Sequence, residues 1–301
     1  MTHVLVTGGA GFIGSHLCES LLARGHHVRA LDSLVYGRRD SVPVGVDFIC
    51  GDIRDLATCQ RAAQGMEGIF HCAAMSRSGP SQEQIDLCTQ SNIIGTQNML
   101  LAARDAGVRR FIYSGSSTCY GNRAVPHRES DPPDLLNIYG LTKLVGEDYC
   151  LLFDKNFDLP SVVLRYFNVY GPRQPEIGAY ALVLGIFLNR HAENKVLEIH
   201  GDGRQRRDFV HVRDVVAANI LAFERAHEDG VRGEVFNVGS GESLSVKELA
   251  DMISPNQIHT EARKGDAAAT LADISKIRAR LGWSPSVCFK DGLKELITLA
   301  K

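Results

Sequence analysis

Thr7-Gly8-Gly9-Ala10-Gly11-Phe12-Ile13-Gly14 decides the fold. The stretch follows a short apolar run at residues 4–7 and opens a helical pattern at 13–23. Gly8, Gly11 and Gly14 fall in a G-x-x-G-x-x-G spacing. The first permits a tight turn, the second lets backbone approach a pyrophosphate, and the third allows close packing where the helix starts. Free N–H groups and the helix dipole attract an anion there. Glycines also mark ordinary turns, so the position directly after a strand is what makes the pattern informative.

Outward from this loop, short apolar runs alternate with helical stretches. Strands are predicted at 28–31, 48–50, 69–72, 110–114 and 161–166, and helices at 90–106 and 139–153. Runs that are apolar throughout suit a parallel sheet covered on both faces. Alternating strands and helices predict an α/β fold, a Rossmann-type doubly wound parallel sheet. Past Asn168 the turn cluster Tyr170-Gly171-Pro172-Arg173-Gln174-Pro175 breaks the pattern. A helix is predicted at 181–190, a tight loop at 200–203, and a return to α/β texture at 212–223 and 235–238. A helix at 245–253, a loop-rich stretch at 254–270 and a last helix at 293–299 follow. The reading is a dinucleotide-binding domain of residues 1–168 with 210–237. A smaller, discontinuous C-terminal substrate lobe of 169–209 with 238–301 completes it.

The 301 residues carry Lys+Arg 33 against Asp+Glu 35, a net charge of -2. This balance gives no electrostatic case for nucleic acid or an anionic membrane. No segment approaches the ~20 apolar residues of a membrane span. The eight cysteines are scattered with no C-x-x-C pair, so neither a zinc site nor a redox dithiol is suggested, and no metal is expected. Without a signal peptide, these thiols read as reduced and the protein as cytoplasmic.

Asp32 ends the second predicted strand near the usual offset from a glycine loop. A carboxylate there accepts from a ribose 2′-hydroxyl and repels a 2′-phosphate, which favours NAD over NADP. Arg38 and Arg39 follow closely and have two readings: they soften that repulsion, or they are solvated loop charges. Asp52, in Gly51-Asp52-Ile53-Arg54-Asp55, has two open readings: an adenine contact or a cap on the next helix.

The glycine loop, G-D-I-R-D and His71-Cys72-Ala73-Ala74 together resemble the extended short-chain dehydrogenase/reductases, in particular the NAD-dependent nucleotide-sugar epimerases and dehydratases. The resemblance runs from residue 4 to 299. It implies that Gly8, Gly11, Phe12, Ile13 and Gly14 hold the NAD pyrophosphate. It also implies that Asp32, Ser33, Asp52, Ile53 and Ala73 line the rest of the cofactor, with the Tyr166 backbone near the nicotinamide.

Tyr139 and Lys143 lie four apart, on one face of a helix. A tyrosine near pKa 10 is a poor base at neutral pH, and a neighbouring ammonium stabilises its phenolate. The lysine can also bond the nicotinamide ribose, so both residues belong to the cofactor site as well. By the family's S-S-x-x-V-Y-G pattern, Ser116 is the catalytic serine, with Ser117 and Ser114 as alternatives. Dehydratases of the family tend to carry Asp-Glu after this serine. Ser117-Thr118 stands here, which argues against 4,6-dehydration. Cys119 reads as a small buried apolar residue, and His71 as core.

For the substrate, the resemblance points to Asn168 and Arg207 on the diphosphate, with Arg263 as a second phosphate arginine. Thr270 is matched to a position bordering the sugar. A small residue there leaves room for a 2-acetamido group, or else its hydroxyl only caps a turn. Asn92 reads as structural or supporting. Arg77 has three open readings: a pyrophosphate contact, an acidic sugar contact, or solvent. The implied activity is C4 epimerisation of a UDP-sugar, a UDP-hexose or UDP-N-acetylhexosamine, through a transient 4-keto sugar. Another 4-oxidising outcome (dehydrogenase, decarboxylase or dehydratase) and a catalytically dead NAD-binding regulator are the alternatives. Retention of Ser116, Tyr139 and Lys143 argues against the last. The family implies a homodimer.

Overall fold

The computed structural model describes residues 1–76, 78–176, 181–261 and 267–299. The chain opens with β1 (His3–Thr7), α1 (Phe12–Ala23), β2 (His27–Asp32), β3 (Asp47–Cys50), α2 (Leu56–Ala63) and β4 (Gly68–His71). Two short helices, α3 (Ser78–Glu83) and α4 (Ile85–Thr89), lead to α5 (Gly95–Asp105), β5 (Arg110–Ser116), α6 (Ile138–Phe157) and β6 (Ser161–Tyr166). The chain then leaves the sheet for β7 (Asn168–Tyr170), α7 (Val183–Ala192), β8 (Leu197–His200), β9 (Arg206–Arg207) and β10 (Phe209–His211). Helix α8 (Val212–Arg225) returns it as β11 (Glu234–Val238). The last elements are β12 (Leu244–Ser245), α9 (Val246–Ile253), β13 (Gln257–Thr260), α10 (Ser275–Leu281) and α11 (Phe289–Leu299).

Seven strands form one parallel sheet in the order β11-β6-β5-β4-β1-β2-β3. After β3 the chain crosses to the other side of β1, so the winding direction reverses between β1 and β4. A crevice opens at the carboxyl ends of the strands at such a reversal, and ligands bind there. The strands are apolar throughout because both faces are covered. Val4, Val6, Ala30, Phe70 and Leu164 pack towards α1 and α8. Leu5, Leu31, Ile69, Phe111 and Val163 pack towards α2, α5 and α6. Each fully buried Val or Leu contributes about 1.5–3 kcal/mol, so both layers are needed to hold the sheet.

A third cluster, with Leu184, Phe187, Ile199, Phe209, Leu249 and Leu296, lies outside the main sheet. It joins α7, β8, α9, β10 and α11, and its small sheets pair β10 with β7, β12 with β9 and β13 with β8. Three differences from the predicted elements stand out. The stretch 254–270 is not loop throughout, because Gln257–Thr260 pairs in parallel with Leu197–His200. The helix predicted at 90–106 begins with a π-turn, Gln90–Ile94, before α5. Helix α10 had no counterpart in the predicted elements; Ile277 and Leu281 supply its buried stripe.

Candidate active site

A cleft of about 930 Å³ runs across the carboxyl ends of the sheet and into the smaller lobe. At its floor, Gly8 has φ +69, and a Cβ there would lie 2.9 Å from the Ala73 backbone nitrogen. Gly11 caps α1 without any side-chain hydrogen bond, so the first N–H groups of the helix face the cleft uncapped. A Cβ on Gly14 would overlap the Gly8 carbonyl oxygen. The third glycine therefore makes room for the turn itself more than for the neighbouring strand. Phe12 and Ile13 follow in the first helical turn and also line the cleft.

Asp32, buried at the end of β2, accepts from the Ala10 N–H at 3.0 Å and the Leu34 N–H at 2.8 Å. Those bonds fix the carboxylate on the cleft wall and leave each oxygen a further lone pair. Ser33 lies on the exposed lip beside it. Asp52 does not cap α2. Asp55 does, accepting from Ala57 and Thr58 N–H. The Asp52 carboxylate instead lines the cleft, held by Arg54 at 2.7 Å, and that hydrogen bond keeps its pKa low. Ile53 is buried beside it and packs where Gly95 has no side chain. This wall of uncapped N–H groups, side-chain-free backbone and the fixed Asp32 carboxylate fits the diphosphate and ribose of NAD.

A directed chain of hydrogen bonds braces the loop from behind. Ala73 N–H donates to Thr7 Oγ1, and Thr7 Oγ1 and His71 Nδ1 are 2.8 Å apart. His71 Nε2 lies 3.1 Å from Thr96 Oγ1, which donates to the Asn92 carbonyl. That direction makes His71 the Nε2–H tautomer. Burial pushes its pKa down to about 3, so it is neutral core, as its sequence context suggested. Asn92 in turn bonds both backbone groups of Met75 and the Thr142 hydroxyl.

Tyr139 stands in the first turn of α6, which Asn137 caps by accepting from the Gly140 N–H at 2.9 Å. Lys143 follows one turn later, 5% exposed, with its ammonium 4.2 Å from the centroid of the Tyr113 ring. Burial lowers its pKa from 10.5 to about 8. Ser116 ends β5, its hydroxyl 2.9 Å from Thr118 Oγ1 and accepting from the Thr118 N–H. All three line the same cleft. Ser114, an alternative serine, is more buried, and its hydroxyl meets Cys72 and Tyr166. Cys119 is buried and its thiol is pushed up to about 12, so it stays protonated. Tyr166 borders the cleft, but its hydroxyl points away, donating to Asn219 at 2.9 Å.

Asn168, Arg207 and Thr270 close the other half of the cleft. The Asn168 amide donates to the Asp208 carbonyl at 2.9 Å and to Thr270 Oγ1 at 3.3 Å. Thr270 Oγ1 also accepts from the Asp208 N–H. Its hydroxyl is thus bonded across to the β9–β10 junction. Asp208 belongs to the Arg206-Arg207-Asp208-Phe209 stretch that marks Arg207, and the sequence reading assigns it no role of its own. Fully buried, it accepts from Ser240 N–H, Ser240 Oγ–H, Gly241 N–H and Ala272 N–H. Only its place beside Arg207 could have flagged it. Arg263 and Arg77 lie outside the described residues. Among the described residues no cluster of metal-ligating side chains occurs, and no helix is long and apolar enough to cross a membrane.

A model of the NAD dependent epimerase/dehydratase family matches residues 4–239. The chain is 34% identical over 307 residues to a putative UDP-glucose 4-epimerase of Methanocaldococcus jannaschii, covering 99% of this chain and 98% of that one. It is 31% identical to a UDP-N-acetyl-alpha-D-glucosaminuronate decarboxylase of Bacillus cytotoxicus, covering 97% and 96%. The crystal structure of the Thermotoga maritima UDP-glucose 4-epimerase with UDP-glucose superposes with a TM-score of 0.93 at 34% identity, covering 98% and 97%. That of the Thermus thermophilus UDP-glucose 4-epimerase with NAD gives 0.91 at 33%, covering 99% and 98%.

Proposed function

The chain belongs to the NAD-dependent epimerase/dehydratase family, and from that premise we propose that it inverts C4 of a UDP-sugar. The observation that carries the reading is the convergence of Ser116, Tyr139 and Lys143 on a cleft that begins at the glycine loop and ends at Asn168, Arg207 and Thr270. In this reading residues 1–168 with 210–237 hold NAD, and 169–209 with 238–301 hold the nucleotide sugar. NAD, when bound, supplies the acceptor and donor of the C4 hydride.

Tyr139 takes the proton of the 4-hydroxyl as that carbon is oxidised to a ketone, and returns it when the opposite face is reduced. The Lys143 ammonium stabilises the phenolate and bonds the nicotinamide ribose. Ser116 shares the hydrogen bond of the 4-oxygen. Asn168, Arg207 and Arg263 hold the diphosphate, the arginines through their planar forks. Thr270 borders the sugar and is small, which favours admission of a 2-acetamido group. Leu141, Val145 and Leu152 form a partly exposed stripe along α6, which supports a homodimer built on that helix.

The similarity to the Bacillus cytotoxicus decarboxylase favours one second reading, in which the 4-keto sugar is diverted. The test is incubation of the purified protein, without added NAD, with UDP-glucose, UDP-N-acetylglucosamine and a UDP-uronate, followed by NMR. C4 epimers of one or both neutral sugars, formed without net redox change, support epimerisation. Release of carbon dioxide from the uronate supports the second reading.

A further inference from the structure

Ser116 and the Tyr139–Lys143 pair reach the cleft on different elements, β5 and α6, with twenty-two residues of chain between Ser116 and Tyr139. Productive proton transfer requires their separation to be held within a fraction of an ångström. Directly behind them lies Arg165 of β6, 6% exposed. Its Nε and Nη2 donate to the two carboxylate oxygens of Glu147 at 2.9 and 2.6 Å. Its Nη1 donates to the Tyr120 hydroxyl at 2.7 Å.

Those two partners sit on the two elements in question. Glu147 is one turn beyond Lys143 on α6. Tyr120 ends the single 3-10 turn that begins directly after Ser116. The far side of this junction is fixed as well. The Tyr120 hydroxyl donates to Asn237 Oδ1 of β11 at 2.6 Å, and the Tyr120 ring stacks on His127 at 4.8 Å. Asn237 donates in turn to the backbone carbonyls of His127 and Asp273, and its N–H bonds the Glu129 carboxylate. The guanidinium therefore grips both catalytic elements against two strands of the sheet.

Stability alone is a weak reason for such a pair. Burying two charges costs several kcal/mol per ion, and apolar residues of similar volume often do as well. What a bidentate guanidinium adds is direction. We propose that Arg165 is a positioning residue of the proton-transfer site, setting the separation of Ser116 from Tyr139 and Lys143 through Tyr120 and Glu147. Its kinetic consequences rest on the proposed epimerisation; its mechanical ones do not.

The test is a double-mutant cycle on the NAD-loaded protein. Tyr120→Phe removes one hydroxyl from the junction and should lower kcat by about 10- to 100-fold, with KM within about twofold and NAD retained. On a Ser116→Ala background the same change should cost less than about twofold, because the group it positions is gone. Losses that multiply on that background, or an unchanged kcat, overturn the proposal. Hydrogen exchange reads the mechanical link without any turnover. Glu147→Gln should speed exchange of the amides at 117–120 while β1–β3 keep their protection, and Tyr120→Phe should do the same to the amides around 143–147. If each variant loosens only its own element, Arg165 is merely structural. A wild-type protein that turns over no UDP-sugar defeats the functional reading, and exchange still decides the link.

Discussion

The two halves of the cleft are built in opposite ways. The half proposed for NAD is built around one unbroken stretch, Gly8 to Gly14, and works through backbone that only glycine leaves open. The half proposed for the sugar nucleotide comes from Asn168, Arg207 and Thr270, which meet only in three dimensions. One buried carboxylate joins them: Asp208 accepts four hydrogen bonds from the loops at 240–241 and 272, while its own backbone bonds Asn168 and Thr270. A contiguous site depends on local sterics, and a dispersed one on the polar group that gathers its parts.

The sharpest way to break the first half is Gly14→Ala. Its Cβ would overlap backbone rather than a flexible side chain, so nothing nearby can yield. The expected outcome is loss of bound NAD from the purified protein, read by absorbance and mass spectrometry, with the fold retained by circular dichroism. The corresponding break in the second half is Asp208→Asn. An amide would turn N–H groups toward the donors that the carboxylate now accepts, at about 1–3 kcal/mol for each unsatisfied group. KM for the sugar nucleotide should rise by about 10-fold or more while NAD stays bound. Equal damage to both ligands would deny that the halves are separable.

Lys143 stands where the halves meet, and its charge is held at a cost. A fall from 10.5 to about 8 corresponds to about 3 kcal/mol against the charged form in the folded state. The unfolded chain binds this proton more tightly, so the cost is fully present below pH 8 and disappears as pH rises toward 10.5. Lys143→Met should therefore be inactive yet more stable at pH 7, by up to about 3 kcal/mol, with the gain fading at high pH. Thermal unfolding from pH 7 to 10 reads it. The smallest effect is expected at Asp32, where Ala removes a ribose acceptor and a repulsive charge together. Asp32→Ala should narrow the preference for NAD over NADP without abolishing binding of either, as isothermal titration would report. Equal affinities in the unaltered protein would remove the role assigned to this carboxylate.

The same contrast governs how much could be read from the sequence. The doubly wound sheet was legible because its strands are apolar on both faces and its first turn is spelled out in glycines. The placement of Tyr139 and Lys143 on one helix at the cleft was legible because four residues on a helix is a fixed geometry. Asp52 had two readings because capping depends on which carboxylate reaches the first N–H groups, and Asp55 does so. Strand β13 was hidden because its pairing partner, β8, lies about sixty residues away and Ile258 is exposed. Asp208 and Arg165 were invisible as organisers because a buried charge is recognised by its partners, and those are up to 64 residues distant.

The most direct test of the account is turnover by Tyr139→Phe. The substitution removes only the phenolic oxygen and leaves the glycine loop and Asp32 untouched. With UDP-sugar interconversion established for the unaltered protein, the variant should retain NAD and lose at least about 10²-fold in kcat, the scale of a lost acid–base group. Near-normal turnover with NAD in place would contradict the assignment of Tyr139 as the proton-transfer residue.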